Sequence, residues 1–332
     1  MGQHSESRYG LQDSSHRRVT AGPVAVEPRP KDVFVDAVVA GGGVVEPLSA
    51  TTKGLVWLSE RNADQLSAIL HAHPGIEWVQ LPWAGVDAFA EVLRDLATKP
   101  EDVRPVVTSA KGAYSEPVAE HALALTLAVM RELPKKVRHG KWYDQRTGLS
   151  LFERRVVVIG AGGVAQAIVD LLQVFRCDIT VVRRDPSILV PGATRTVSVA
   201  DWRTVLSETD VVIVAAASTP GTRHMLGEEE FALLPDHAVL VNIARGPLVD
   251  TDALVRALQS GSLLGAGLDV TDPEPLPEGH PLFDSPNCVI TSHSADTPEM
   301  TAPLLAARVT WNTRAFLRGE GFRGVVSPEL GY

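Results

Sequence analysis

The β-branched run from Val156 to Ile159 passes directly into Gly160-Ala161-Gly162-Gly163-Val164-Ala165, and an apolar helical pattern continues through Ile168, Leu171, Leu172 and Phe175. This is G-x-G-x-x-A between a strand and a helix, the context in which the motif cradles a dinucleotide. Gly160 permits the tight turn, Gly162 lets the backbone approach a pyrophosphate, and Ala165 keeps helix and strand close. The helix N-terminus offers amide groups and the positive end of a dipole to the phosphates. Gly41-Gly42-Gly43 makes a contrast, because Val44-Val45-Glu46-Pro47 after it begins no helix. It reads as a loop.

Sheets that bind NAD usually end their second strand in Asp or Glu, which accepts hydrogen bonds from the ribose 2′-hydroxyl. Here that strand ends Val181-Val182-Arg183-Arg184. Guanidinium groups pair with a 2′-phosphate where a carboxylate would repel it, so Arg183 and Arg184 favour NADP over NAD. Three later strand ends carry Arg245, then Asp269 with Glu274, then His293. Ligands of doubly wound sheets sit beyond the carboxyl ends of the strands, which brings these four residues toward one cleft. Asp250 and Asp252 read as caps of a helix that runs to Leu258 and stops at Gly261. His71 and His73 have no carboxylate or cysteine pattern around them, so no metal site is expected.

Two series of elements must position these groups. The first has expected strands at Val33 to Ala40, Gly54 to Leu58, Ile76 to Gln80 and Val106 to Thr108, with a helix from about Arg61 to Ala72. The second has six, at Val156 to Ile159, Ile179 to Val182, Val211 to Val214, Val239 to Asn242, Leu264 to Asp269 and Cys288 to Thr291. Strands alternating with helical patterns make an α/β chain with parallel sheets, and the second series matches a doubly wound nucleotide-binding sheet. Between them, Ser115 to Leu133 is apolar nearly all round, which predicts a helix buried on more than one side, in a core or at a junction. The amphipathic segment from Thr301 to Arg318 is expected to return to the first unit. That places the smaller domain at 32–111 plus 299–332 and the nucleotide domain at 112–298.

The chain has 332 residues, enough for two domains. It carries 31 Lys and Arg against 40 Asp and Glu, a net charge of −9, which argues against nucleic acid as its main partner. Its two cysteines, Cys177 and Cys288, fit neither a disulfide framework nor a zinc site and suit a reducing cytoplasm. The greasiest stretch, Val156 to Leu172, is interrupted by Gln166 and Asp170, so no membrane span is expected. Met1 to Lys31 is Ser-rich, carries both charge signs and lacks an apolar core, and it reads as a flexible leader rather than a secretory signal.

Taken in order, the glycine loop and the segments around Arg245, Asp269, Glu274 and His293 resemble the D-isomer-specific 2-hydroxyacid dehydrogenase family, which includes glyoxylate/hydroxypyruvate reductases and phosphoglycerate dehydrogenases. The likeness extends to Trp78-Val79-Gln80 with Ala84-Gly85-Val86-Asp87, to Val118-Ala119-Glu120-His121 and to Thr219-Pro220-Gly221-Thr222. It implies a Rossmann coenzyme domain, a smaller flavodoxin-like substrate domain, closure of the two over the substrate, and a homodimer. It also implies NAD(P)H-dependent reduction of a small 2-keto acid, with hydride from the nicotinamide and a proton from His293.

By the same resemblance, Arg245 holds the substrate carboxylate and polarises its keto group, Glu274 pairs with His293, and the backbone at Ala84 and Gly85 grips the carboxylate. Asp269 would contact the nicotinamide amide. Gly163, Val164, Ala216 and Ile243 would border the cofactor, together with Gly160, Gly162, Arg183, Arg184, Arg245 and His293. The chemistry agrees: reduction builds negative charge beside an existing carboxylate, which suits a planar cationic fork, and a carboxylate next to a histidine favours the proton-donating imidazolium. Three positions depart from the family pattern, Glu153 standing for a glycine and Ala217 and Ser292 for prolines. A phosphoglycerate dehydrogenase, or a noncatalytic NAD(P)H sensor like the C-terminal-binding corepressors, are the alternatives.

Overall fold

The computed structural model describes residues 19–59, 61–142 and 144–331. These fall into two compact units, one reaching to Tyr114 and resuming at Thr297, the other Ser115–Asp296. The chain therefore crosses at 114/115 and 296/297 rather than at 111/112 and 298/299.

The first unit holds β1 (Val24–Glu27), α1 (Asp32–Ala40), β2 (Gly54–Trp57), α2 (Ala63–Ala72), β3 (Trp78–Gln80), α3 (Ala90–Ala97) and β4 (Val106–Thr108). Its sheet is parallel in the order β1-β2-β3-β4. Val45 adds a single parallel bridge to Val24 on the outer side of β1. Counted in, that bridge gives the flavodoxin-like order 2-1-3-4-5.

Two expectations fail here. Residues 33–40 are helical, because Phe34, Ala37 and Val38 recur at helical spacing and are buried while Val33 and Val39 stay exposed. The strand expected there lies earlier, at Val24–Glu27, inside the stretch read as leader. Pro23 and Pro28 on either side concealed it. The rest of that leader reading, 1–18, lies outside the described residues.

The second unit begins with α4 (Ser115–Met130) and α5 (Leu133–Arg138), followed by β5 (Arg155–Ile159), α6 (Gly163–Gln173), β6 (Asp178–Arg183), β7 (Arg195–Ser198) and β8 (Val211–Val214). It continues through α7 (Glu228–Leu233), β9 (Val239–Asn242), α8 (Thr251–Ser260), β10 (Gly265–Leu268), α9 (Pro281–Asp284) and β11 (Cys288–Ile290). Seven parallel strands run β11-β10-β9-β8-β5-β6-β7. The six expected strands are present; β7, an edge strand of sequence RTVS, was missed because it lacks an apolar run. Strands β8, β9 and β10 are buried throughout, as a parallel sheet covered on both faces requires. Chain order reverses between β5 and β8, which puts the switch point at the glycine loop.

Helix α10 (Pro298–Arg318) then returns to the first unit. Phe316 and, just past the helix, Phe322 sit 5.4 and 5.8 Å from the ring of fully buried Trp78. Burying side chains of this size contributes about 1.5–3 kcal/mol each. Arg308, also fully buried, donates to the carbonyls of Ser109 and Lys111 at 2.8 and 3.1 Å, and Asn312 donates to Gln80 at 2.8 Å.

Glu153 explains one departure from the family pattern. Its φ is 63°, the left-handed region that glycine enters freely and other residues enter at a cost of about 1–2 kcal/mol. Its carboxylate receives Arg176 at 3.1 Å.

Candidate functional site

Strand β5 ends at Ile159, and Gly160 turns the chain at φ 117°, where a Cβ would lie 2.3 Å from the carbonyl oxygen of Ala215. Only glycine fits. Gly162 is the extended N-cap of α6, and a Cβ added there meets nothing within 4 Å, so the outer side of the loop is open. Gly163 and Ala165 are buried against the strand, and Gln166 braces the loop by donating to Ala161 at 3.2 Å. The first amides of α6 have no partner within the helix. Amides of this kind beside open space suit a pyrophosphate.

Arg183 ends β6 half-buried, donating to the carbonyl of Ile188 at 3.1 Å, with Arg184 exposed beside it. The next residue, Asp185, closes its own turn by accepting from the hydroxyl and amide of Ser187 at 2.6 and 3.0 Å. The Ser187 hydroxyl does most to hold its carboxyl below the usual range.

Arg245 lies just past β9. Buried Asn242 clamps that bend, accepting from the Ala244 amide at 3.0 Å and donating to the Arg245 carbonyl at 2.9 Å. The half-buried Arg245 guanidinium donates to the Ala244 carbonyl at 2.7 Å. A Cβ on Gly246 would overlap the carbonyl of Thr271, so this loop and the one after β10 touch backbone to backbone. Ile243, two residues before Arg245, is buried, and Ala216 is half-buried just beyond β8.

His293 follows β11 with φ 51°, its Nδ1 2.7 Å from Oε1 of Glu274, and the two side chains are 47% and 42% exposed. Asp269 at the end of β10 is only 1% exposed at its side chain. Its Oδ1 accepts from the Thr291 hydroxyl at 2.8 Å and the Ser294 amide at 2.9 Å, its Oδ2 from the Ala295 amide at 3.2 Å. Its own carbonyl accepts from the His293 amide at 2.8 Å. Burial pushes the Asp269 carboxyl up, but nearby His121 and the hydrogen bonds from Thr291 and Ser294 outweigh it and hold the group below the ordinary value. Nearby Asp296 goes the other way, pushed up by burial despite His293.

The adjacent strands β11, β10 and β9 thus carry His293, Asp269 and Arg245 at their carboxyl ends, with Glu274 bonded to His293. Ala84 and Gly85 belong to the first unit, in the loop after β3, where Tyr114 and Ala110 brace the chain through the carbonyls of Pro82 and Trp83. The same unit has a pocket of about 840 Å³ at the ends of β1, β2 and β3, lined by Arg29, Arg61, Leu58, Trp83 and Tyr114 among others. Sequence reasoning gave no role to Asn242, His121 or Thr291. A polar residue closing the apolar run Val239–Asn242 was the available signal for the first.

Asp250 caps α8 by accepting from the Ala253 amide, and Gly261 ends it in the left-handed conformation. Burial pushes the Cys177 and Cys288 thiols up to about 11 and about 12, so neither is poised as a nucleophile. Among the described residues, no group of three His, Cys, Asp or Glu side chains could hold a metal, and no helix is long and apolar enough to cross a membrane.

A family model for the NAD binding domain of D-isomer specific 2-hydroxyacid dehydrogenases matches residues 122–295. A glyoxylate reductase of Thermofilum pendens is 34% identical over 236 residues, covering 68% of this chain and 68% of its own. Human glyoxylate reductase/hydroxypyruvate reductase is 34% identical over 216 residues, 62% of this chain and 65% of that one. The crystal structure of a D-isomer specific 2-hydroxyacid dehydrogenase from Xanthobacter autotrophicus Py2, in complex with NADPH and MES, superposes with a TM-score of 0.77 at 26% identity, covering 94% of this chain and all of that one.

Proposed function

The chain belongs to the D-isomer specific 2-hydroxyacid dehydrogenase family of NAD(P)-dependent oxidoreductases, and from that premise we propose that it reduces a small 2-keto acid of the glyoxylate or hydroxypyruvate type to the D-2-hydroxy acid. The observation that carries this reading is the His293–Glu274 pair at 2.7 Å, two strands from Arg245 in one sheet. With Nδ1 engaged by Glu274, Nε2 of His293 is the nitrogen that donates a proton to the keto oxygen. Glu274 orients the ring. Arg245 holds the substrate carboxylate and draws charge onto the keto oxygen.

Gly160, Gly162, Gly163 and Val164 would hold the pyrophosphate, Arg183 and Arg184 a 2′-phosphate, and Ala216, Ile243 and Asp269 the rest of the cofactor. The nicotinamide, when bound, supplies the hydride. We assign NADP as the preferred form on the two arginines. Oxidation of NADPH and NADH should be followed against glyoxylate, hydroxypyruvate and 3-phosphohydroxypyruvate. NADPH is expected to be favoured in kcat/KM by about tenfold or more, since one hydrogen bond to a charged phosphate is worth about 1.5–3 kcal/mol. Better turnover with NADH defeats that assignment, faster reduction of the phosphorylated acid points to a phosphoglycerate dehydrogenase, and cofactor binding without turnover defeats the enzymatic role.

We further propose a homodimer in a reducing, cytoplasmic setting, the latter on the two free thiols. Support for the dimer comes from apolar side chains left outside on one segment: Leu133 is 47% exposed, Val137 79% and Trp142 86%. Sedimentation equilibrium is expected to return twice the 35.6 kDa chain mass, and Val137→Asp to lower it toward the single mass. An unaltered protein that sediments as a monomer rejects the assembly.

A further inference from the structure

His121 lies on α4, one turn before Leu125 and two before Val129, so the three share a helix face. That face lies against β10. A Cβ on Gly265 would come within 2.7 Å of Val129, and one on Gly267 within 2.8 Å of Leu125. The two glycines let the helix approach along an antiparallel course, and the next step of the register brings His121 to the strand end at Asp269.

There, Nε2 of His121 is 2.8 Å from the Thr291 hydroxyl and 3.5 Å from Oδ1 of Asp269. A hydroxyl has one hydrogen to give. Thr291 gives it to Oδ1 of Asp269 at 2.8 Å, because an ionised carboxylate only accepts. Toward His121 the same oxygen must therefore accept, and Nε2 of His121 must carry the hydrogen.

The direction matters because of what Asp269 holds. Its carboxylate gathers Thr291, Ser294 and Ala295, and its carbonyl takes the amide of His293, so the loop from Thr291 to Ala295 wraps one buried anion. His293 sits in that loop in the left-handed region, a backbone state that persists only where the surroundings over-determine it. We propose that His121 is a positioning residue for His293: it donates from Nε2 to Thr291, fixes the direction of the Thr291–Asp269 bond, and so holds the loop that presents the imidazole.

The proposal rests on His293 as proton donor, and the tests separate the two. His121→Leu, which has no N–H, is expected to lower kcat about 10–100-fold, because a misplacement of about 1 Å costs on the order of 10²-fold. The KM values for keto acid and cofactor should stay within about threefold. His121→Gln places an amide donor at similar reach and is expected to restore kcat to within about threefold of the parent. Long-range nitrogen–proton correlation spectra of the unaltered protein should show His121 as the Nε2–H tautomer or the imidazolium.

An Nδ1–H tautomer overturns the proposal whatever the variants do. So does full kcat in His121→Leu, or a His121→Gln as slow as His121→Leu at the parent melting temperature. Should His293→Ala retain its kcat, the functional reading itself falls; loss of kcat there alongside full kcat in His121→Leu removes only the role of His121.

Discussion

Replacing His293 with alanine lowers kcat by about 10²–10⁴-fold, the range a positioned general acid contributes. Cofactor affinity moves by less than about threefold, since the proton is needed in the transition state and not in the binary complex. The variant should also fold. The His293 side chain is about half exposed and its hydrogen-bond partner, Glu274, is itself partly solvated, so removing the ring leaves that carboxylate in contact with water. The amide of His293, which anchors the loop to Asp269, survives the substitution. Steady-state kinetics, a fluorescence titration with NADPH and a melting curve form the set of measurements. A kcat close to that of the parent rejects His293 as the acid.

Arg245→Ala is expected to cost more in kcat/KM, about 10³–10⁵-fold, because it removes two things together. Loss of one donor to the developing oxyanion accounts for about 10²–10³-fold in kcat. Loss of a hydrogen-bonded charge from the substrate carboxylate, worth about 1.5–3 kcal/mol, raises KM by a further 10- to 100-fold or so. Arg245→Lys should recover only a small part, since an ammonium cannot reproduce the planar fork. Asn242 holds the bend at residues 244–245 through backbone groups, which neither variant alters, so the melting temperature should change little. An Arg245→Ala enzyme with an unchanged KM would remove this residue from the carboxylate.

What could be read from the chain followed its physics. The strands at Val211–Val214 and Val239–Asn242 are short apolar runs covered on both faces, a pattern that leaves little ambiguity once turns bound it. The run at 33–40 is just as rich in valine but buries only one helical stripe, and a short apolar run does not by itself declare its period. Strand Arg195–Ser198 lies at a sheet edge and is partly exposed, so burial left no mark on its composition. Arg245, Glu274 and His293 stood out because polar residues at strand ends are conspicuous after apolar runs. His121 did not, because its partner Thr291 is 170 residues away and only the fold joins them.

The return of the last helix also sets an order of events during synthesis. Ser115–Asp296 is one continuous stretch, complete before Thr297 leaves the ribosome. The other unit holds Trp78, Gln80 and Ser109 early, yet their partners Phe316, Asn312 and Arg308 are made only after that stretch. The nucleotide-binding half can therefore mature while its companion is still unfinished, and a nascent chain spends that interval with an aromatic core uncovered, the period in which chaperone protection matters most.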